Sequence, residues 1–328
     1  MSVLSVRDLH VTYRTKGGDV PAVRDVTFDI DRGHVLGLAG ESGCGKSTIA
    51  GAILRLHSAR TRIEGEISLE GQDVLALRPG PLRAVRWTSA SIIFQGALHA
   101  LNPVREVGDQ IAEAITVHKL AGEREARVRT AELLEQVGLP ARRIDDYPHE
   151  LSGGQKQRVM IAMALACNPS LVIADEPTTA LDVMVQAQVL QLLKSLQREL
   201  GLAMLFITHD LSVLAEVSDR IAIMYAGKIV EEGAADRVFH EPAHPYTTAL
   251  AGAFPEIGDM RFRGKPSGLG GDPPDPQHIP SGCPFHPRCP VAIDACPTLD
   301  VDLWSAGEDR RAACIHVSGA PSFSEAST

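Results

Sequence analysis

The sequence lacks any apolar run of the roughly 18 to 20 residues that a helix needs to cross a bilayer. Its N-terminus, Met1 to Leu9, alternates apolar and polar residues, with no basic segment followed by an apolar stretch. It reads as a strand and not as a signal peptide. Together these absences predict a cytoplasmic chain whose membrane role, if it has one, comes through a partner. Excess positive charge is missing too: 32 Lys and Arg stand against 41 Asp and Glu, a formal net charge of −9. A protein that grips nucleic acid through its phosphates shows the opposite balance or a dense basic stripe. Neither is visible. Internal repeats and heptad arrays are also absent. Cysteine is scarce through most of the length, with Cys44 and Cys167 isolated, but Cys283, Cys289, Cys296 and Cys314 crowd into one C-terminal stretch.

What is present suits a globular protein: 328 residues, 44% hydrophobic and 22% charged, enough for one large domain plus an appendage or two modest domains. Strands are predicted at Leu4 to Val6, Ala22 to Ile30, His34 to Ala39 and residues 65–70, with a helix from Lys46 to Leu56. From about residue 96 to 150 strand signals vanish. Ile111, Ile115, Val128, Leu134 and Val137 have helical spacing, which predicts a helical insertion. Alternation then resumes with a helix over Gly154 to Ala166, a buried strand over Leu171 to Ala174, and a helix with Leu181, Val185, Val189, Leu192, Leu196 and Leu200 on one face. A strand over Ala203 to Thr208 follows. Ile221 to Tyr225 and Lys228 to Glu231 flank Ala226-Gly227 as a hairpin. After Phe254 the composition turns to Pro and Gly, the chemistry of a linker. The last ten or so residues are small and polar and are expected to be disordered.

Gly40-Glu41-Ser42-Gly43-Cys44-Gly45-Lys46-Ser47 fits the P-loop pattern and lies between a predicted strand and a predicted helix. The glycines let successive backbone N–H groups turn toward phosphate oxygens at the positive end of a helix. Lys46 can bridge the β- and γ-phosphates, and the Ser47 hydroxyl is placed for Mg²⁺. Leu171-Val172-Ile173-Ala174-Asp175-Glu176 supplies the second half, an apolar strand that delivers two adjacent carboxylates to its C-terminal end. Asp175 would hold Mg²⁺ and Glu176 would polarise the attacking water. The alternative, in which the paired acids merely cap a helix, leaves the upstream loop unexplained.

Leu151-Ser152-Gly153-Gly154-Gln155 lies about twenty residues before that second motif. It is another helix start rich in bare N–H groups, and one nucleotide gives one chain no need of two such cradles. In this order the sequence resembles the ATP-binding cassette (ABC) family over roughly residues 1–250. The resemblance implies an α/β P-loop ABC nucleotide-binding domain, with a RecA-like core, an antiparallel β subdomain and a helical subdomain over about 96–165. It assigns ATP to Gly40, Ser42, Gly43, Cys44, Gly45, Lys46, Ser47 and Thr48, and adenine stacking to Tyr13. Gln95 matches the family's Q-loop, near Mg²⁺ and the water. Asp182, in Ala180-Leu181-Asp182, matches the D-loop, and His209 matches the switch histidine. The resemblance further implies that Ser152, Gly153, Gly154 and Gln155 close over ATP held by a second subunit. Glu176, His209 and Gln95 are then the catalytic set, and Ser47, Gln95 and Asp175 the Mg²⁺ set.

The stretch His244-Pro245-Tyr246, the Pro-rich linker and Gly282-Cys283-Pro284-Phe285-His286-Pro287-Arg288-Cys289-Pro290 are similar to the tail of ATPases from dipeptide, oligopeptide and nickel importers. This predicts a small C-terminal Cys-rich extension over 251–318, followed by a tail over 319–328. The cysteine spacing is C-x5-C-x6-C-x17-C, without the tight pair usual in zinc sites. Four widely spaced thiols favour a [4Fe–4S] cluster over Zn²⁺, with unliganded or disulfide-linked cysteines as the remaining alternative. His286 and His316 lie nearby but read as surface residues.

The expected function is hydrolysis of ATP to drive a peptide importer. Nickel and oligosaccharide importers are alternatives, as is a non-transport ABC ATPase in DNA repair or translation. Against the last stand the single cassette, the missing coiled coil and the negative charge. A small-molecule P-loop kinase gives no reason for Ser152-Gly153-Gly154 or His209. Expected partners are a second ATPase (a related chain by preference), two permeases and an external solute-binding protein, with no nucleic acid. The expected location is the cytoplasmic face of the cell membrane.

Overall fold

The computed structural model of the chain describes residues 2–96, 100–253 and 269–320. Its first two strands, β1 (Ser2–Thr15) and β2 (Gly18–Asp31), form one long antiparallel hairpin. Both run well past the strands predicted at 4–6 and 22–30. The reason is local: the register shifts between Val6 and Leu9, and Asp8 and Asp25 take positive φ of 45° and 51°. Such bulges break the alternation that marks a strand in sequence. With β4 (Thr61–Leu69) and the short β5 (Gln72–Asp73) the hairpin makes a four-stranded sheet in the order β2-β1-β4-β5.

The second sheet positions the chemistry. Its centre is β3 (Val35–Ala39), β8 (Ala203–Ile207), β7 (Leu171–Asp175) and β6 (Ala90–Ile93), adjacent in that order and all parallel. Nearly unbroken apolar sequence suits strands covered on both faces, and alternation decides which residue meets which cover. Leu36, Leu38, Leu171, Ile173, Leu205 and Ile207 point into a core shared with the antiparallel sheet and α1 (Lys46–Ile53). Val35, Ala39, Val172, Ala174, Met204 and Phe206 face a second core. That second core also takes in α3 (Val107–Val117) and α4 (Glu123–Gln136), which lie in the predicted insertion, and α5 (Gly153–Leu165), the helix predicted to follow it. A further helix, α2 (Pro79–Thr88), precedes β6 and was not foreseen.

The helix α6 (Val183–Leu200) corrects one expectation. Its buried face is Val189, Leu190, Leu193, Leu196 and Gln197, whereas Leu181 precedes the helix and Leu200 is exposed. A polar residue could take a core position because the Gln197 amide donates to the carbonyls of Gly33 (2.7 Å) and Leu202 (3.2 Å). The predicted hairpin is present as β9 (Arg220–Tyr225) and β10 (Lys228–Ala234), turning through Ala226 and Gly227 with φ of 47° and 85°.

Beyond α7 (Leu211–Val217), α8 (Ala235–His240) and α9 (Pro245–Ala253), the chain returns to the same sheet. The short strands β11 (Trp304–Ser305) and β12 (Arg310–Ala312) extend it, with Glu231 opposite Ala312 and Gly233 opposite Arg310. The cysteine-bearing segment is therefore hydrogen-bonded to the sheet that carries the P-loop. The prolines at 255 and 266 and the tail over 321–328 lie outside the described residues. Among the described residues no helix is long and apolar enough to cross a membrane.

Candidate active site

Four parallel strands end along one edge, and each hands over one part of the site, where open α/β sheets bind ligands. From β3 the chain enters the P-loop. Gly40, Gly43 and Gly45 have φ of 153°, 80° and 109°. A Cβ on Gly40 would lie 2.2 Å from the Met224 carbonyl oxygen, and one on Gly45 would lie 2.3 Å from that of Ala22. Only glycine fits there. Lys46 is buried, and its ammonium donates to the carbonyls of Gly40 (2.7 Å) and Glu41 (2.9 Å). Cys44 is buried beside it, with Sγ 3.7 Å from Lys46 Nζ, and burial pushes its thiol up. Ser42, Gly43 and Ser47 are exposed.

From β7 come the two carboxylates. The Ser47 hydroxyl donates to Asp175 Oδ1 at 3.1 Å. Burial raises the Asp175 carboxyl above its ordinary range; the Ser47 bond opposes this and the neighbouring Glu176 adds to it. A buried carboxylate beside a hydroxyl is a donor set that a divalent cation would stabilise in its charged form. Glu176 takes a positive φ of 47°, and its backbone N–H donates to the Ile207 carbonyl (2.9 Å). Gln95, just past β6, donates to Glu176 Oε2 at 2.8 Å. His209, just past β8, places Nδ1 3.4 Å from Glu176 Oε1. The three predicted catalytic residues are thus in direct contact. Thr179 was missed: its hydroxyl donates to Glu176 Oε2 at 2.9 Å. Its spacing of three from Glu176 was a usable signal, since a hydroxyl there can reach back across one turn.

Tyr13 lies beside α1. Its hydroxyl is 3.1 Å from the Thr48 hydroxyl and 3.4 Å from His57 Nδ1, and its ring meets His57 edge-on at 5.5 Å. The second glycine-rich turn is built differently. Ser152 caps α5, accepting from the Gln155 N–H at 3.4 Å, while Gln155 Oε1 accepts from the Ser152 N–H at 2.9 Å. Its side chains bond to the turn's own backbone, and Ser152 is exposed. Gly154 has a packing reason, because a Cβ there would meet Val185 Cγ1 at 2.5 Å. Asp182 caps α6 through the Val185 N–H at 3.0 Å.

Comparison with known proteins decides the family. Residues 23–179 match the ABC transporter family, and residues 230–296 match the oligopeptide/dipeptide transporter C-terminal region. A Brucella abortus protein whose name classes it as a peptide import ATP-binding protein is 47% identical over 297 residues, covering 90% of this chain and 89% of that one. A Brucella ovis protein of the same name class is 44% identical, covering 95% of this chain and 96% of that one. The chain belongs to the ABC transporter ATPase family. Among solved structures, a dimeric ATP-binding cassette in a post-hydrolysis state with ADP and phosphate is 30% identical at a TM-score of 0.64. That match covers 71% of this chain and 98% of that one. The cassette cbiO1 from Clostridium perfringens, part of the transporter complex cbiONQ, is 30% identical at 0.63, covering 73% of this chain and 91% of that one.

In this ATPase the four C-terminal cysteines are free thiols that line one small apolar cavity with Phe285, Val291 and Ile315. No disulfide links them. Burial pushes Cys283 up to about 11, with the other three sulfurs adding to it, and pushes Cys289 and Cys314 up as well. Among the described residues no three His, Cys, Asp or Glu side chains form a group that could hold a metal ion. That holds equally for both expected centres, the [4Fe–4S] cluster and Zn²⁺. His286 and His316 spend a ring nitrogen on the carbonyls of Cys283 and Val291, each at 2.9 Å.

Proposed function

We propose that this chain is the ATPase of a peptide importer, carrying one composite half of each of two nucleotide sites. The supporting observation is the convergence of Gln95 and His209 on Glu176, beside the Ser47–Asp175 pair. On this reading the P-loop N–H groups from 40 to 48 cradle the phosphates, and Lys46 leaves its loop carbonyls to meet the β- and γ-phosphates. Tyr13 offers its ring to the adenine. Ser47 and Asp175 would hold Mg²⁺, with Gln95 close by, and the bound cation would neutralise charge developing on the phosphates. Glu176, held from both sides, accepts hydrogen bonding from the attacking water. His209 is placed to sense the γ-phosphate and to orient Glu176.

The Ser152 to Gln155 turn, with Ser152 exposed, supports assembly with a second ATPase, whose P-loop it would cover, and Asp182 would lie at the same junction. The dimeric cassette structure and the transporter-complex cassette are consistent with that arrangement. The names of the Brucella relatives and the matched C-terminal region support peptides as cargo, ahead of nickel or oligosaccharides. Two permeases would receive the stroke at the cytoplasmic face of the membrane, and an external solute-binding protein would deliver the peptide. In this reading residues 1–250 are the motor and 251–318 the extension.

We also propose that Cys283, Cys289, Cys296 and Cys314 hold a [4Fe–4S] cluster. The support is that the four thiols line one cavity, and that a positive centre there would reverse the effect of burial and give thiolates. A cluster there would supply a four-point staple to a segment poor in regular structure. Iron and sulfide analysis after anaerobic purification tests it, and colourless protein with one zinc per chain would refute it. The transport reading is tested in vesicles carrying the permeases. ATP-dependent uptake of labelled peptide, abolished by omitting this chain, is expected. Co-purification with nucleic acid and no permease would favour the non-transport reading.

A further inference from the structure

The contact between the cysteine-bearing segment and the P-loop has no part in the reading above. Arg288 sits one residue before Cys289, in a short 3₁₀ turn over His286–Arg288. Its guanidinium reaches back 247 positions in sequence to Glu41, the second residue of the P-loop, and bonds both carboxylate oxygens at 2.7 and 3.0 Å. The pair is sequestered, with side-chain exposures of 7% for Arg288 and 21% for Glu41. The same guanidinium donates to the Gly270 carbonyl (2.9 Å) and the Tyr225 hydroxyl (3.4 Å), and lies about 6 Å from the rings of Tyr225 and Phe285.

Glu41 is fixed at two further points. Its backbone N–H donates to the Tyr246 hydroxyl at 2.9 Å, and its carbonyl accepts from Lys46 at 2.9 Å. Tyr246 is itself buried against Tyr225 (4.6 Å between ring centroids) and Phe285 (5.4 Å). So one P-loop residue, Glu41, meets Lys46 through its carbonyl and is held by Tyr246 through its N–H and by Arg288 through its carboxylate. The geometry is a planar, bidentate fork on a carboxylate, which fixes orientation as well as distance. A neighbouring ammonium could not do the same.

We propose that Arg288 is a positioning residue of the nucleotide site: through Glu41 it holds the P-loop in its phosphate-receiving form. The C-terminal segment is therefore a working part of the ATP site. Arg288 touches no nucleotide in this account and acts through Glu41 alone. Loosening the pair lets the peptide carrying the Lys46 contact wander, and bound phosphate then has to reorder it. The cost falls on ATP binding more than on the chemical step.

This inference rests on the nucleotide site assigned above, and the experiment separates the two. Equilibrium binding of a fluorescent ATP analogue is measured on the full chain for the wild type, Arg288→Ala, Glu41→Gln and the double variant, with Lys46→Ala as control. Each single variant should bind about tenfold more weakly, and the double variant no more weakly than either single one. Arg288→Lys should recover only part of the loss. In the assembled complex the KM for ATP should rise with kcat within about twofold. Glu41→Gln changes no residue of the cysteine segment, so it keeps the test decisive if Arg288→Ala misfolds. Wild-type affinity in Glu41→Gln, or losses that simply add in the double variant, would overturn the inference. A wild type that binds no better than Lys46→Ala would remove the nucleotide-site reading itself.

Discussion

Two glycine-rich turns open helices in this ATPase, and they are finished differently. The turn from 40 to 47 is completed within the chain. Its lysine is buried, its serine is bonded to Asp175, and three other strand ends bring Gln95, Glu176 and His209 alongside. The turn from 152 to 155 is left open. Ser152 and Gln155 bond to each other's backbone, and the serine faces outward. Both present helix N-terminal N–H groups, so both can favour an anion. Only the first has a local cation and carboxylates to act on it. The difference teaches that an anion cradle is not an active site until something reactive is aimed at it. On the proposed assembly, the second cradle meets its nucleotide on another chain.

Each part of that contrast can be broken. In the proposed role of Glu176, Glu176→Gln removes only the charge that polarises the water, so turnover of the assembled complex should fall by about 10²–10⁴-fold while ATP affinity is kept. A steady-state assay beside a binding isotherm checks both halves. Ser152→Glu should separate the cradles: an acid at the open turn repels the partner's phosphate. Turnover should then drop by about 30-fold or more, with little change in ATP binding by the lone chain. Equal losses in both assays would mean that the second turn serves its own chain. With Tyr13 stacking on the adenine as proposed, Tyr13→Leu removes a face worth about 1–3 kcal/mol, so ATP affinity should fall about tenfold. Inorganic triphosphate, which has no base to stack, should bind unchanged. Gly154→Ala is the mildest. Its Cβ has to displace Val185, and a stability loss of about 1–3 kcal/mol is expected in urea unfolding. The same change at Gly45 meets a backbone carbonyl instead and should cost more, because the neighbour cannot turn aside.

The residues of the first cradle were legible because glycines, lysine and paired acids leave a pattern in the chain itself, and so do three of the four apolar strands that end beside them; β6, only four residues long, was not read. Where function was read and structure was not, the cause is specific. The hairpin β1–β2 was under-read because bulges near Asp8 and Asp25 interrupt its alternation. The buried face of α6 was read only in part: Val189 and Leu196 are buried as expected, but Leu190, Leu193 and Gln197 join them, the last because its polar amide makes two backbone bonds. The clamp of Arg288 on Glu41 leaves no local trace at all. It joins residues 247 apart, and each alone is an ordinary charged residue in a motif read for other reasons.

In the proposed assembly the P-loop is completed by the Ser152 to Gln155 turn of another subunit. Light scattering on Glu176→Gln with and without Mg-ATP tests this most directly, run on the chain alone and mixed with the related ATPase of its complex. The account predicts separate chains without nucleotide and a closed dimer with ATP in at least one of the two settings. Adding Ser152→Glu to both members of the pair should abolish that dimer. A chain that binds ATP and remains a monomer in both settings would contradict it.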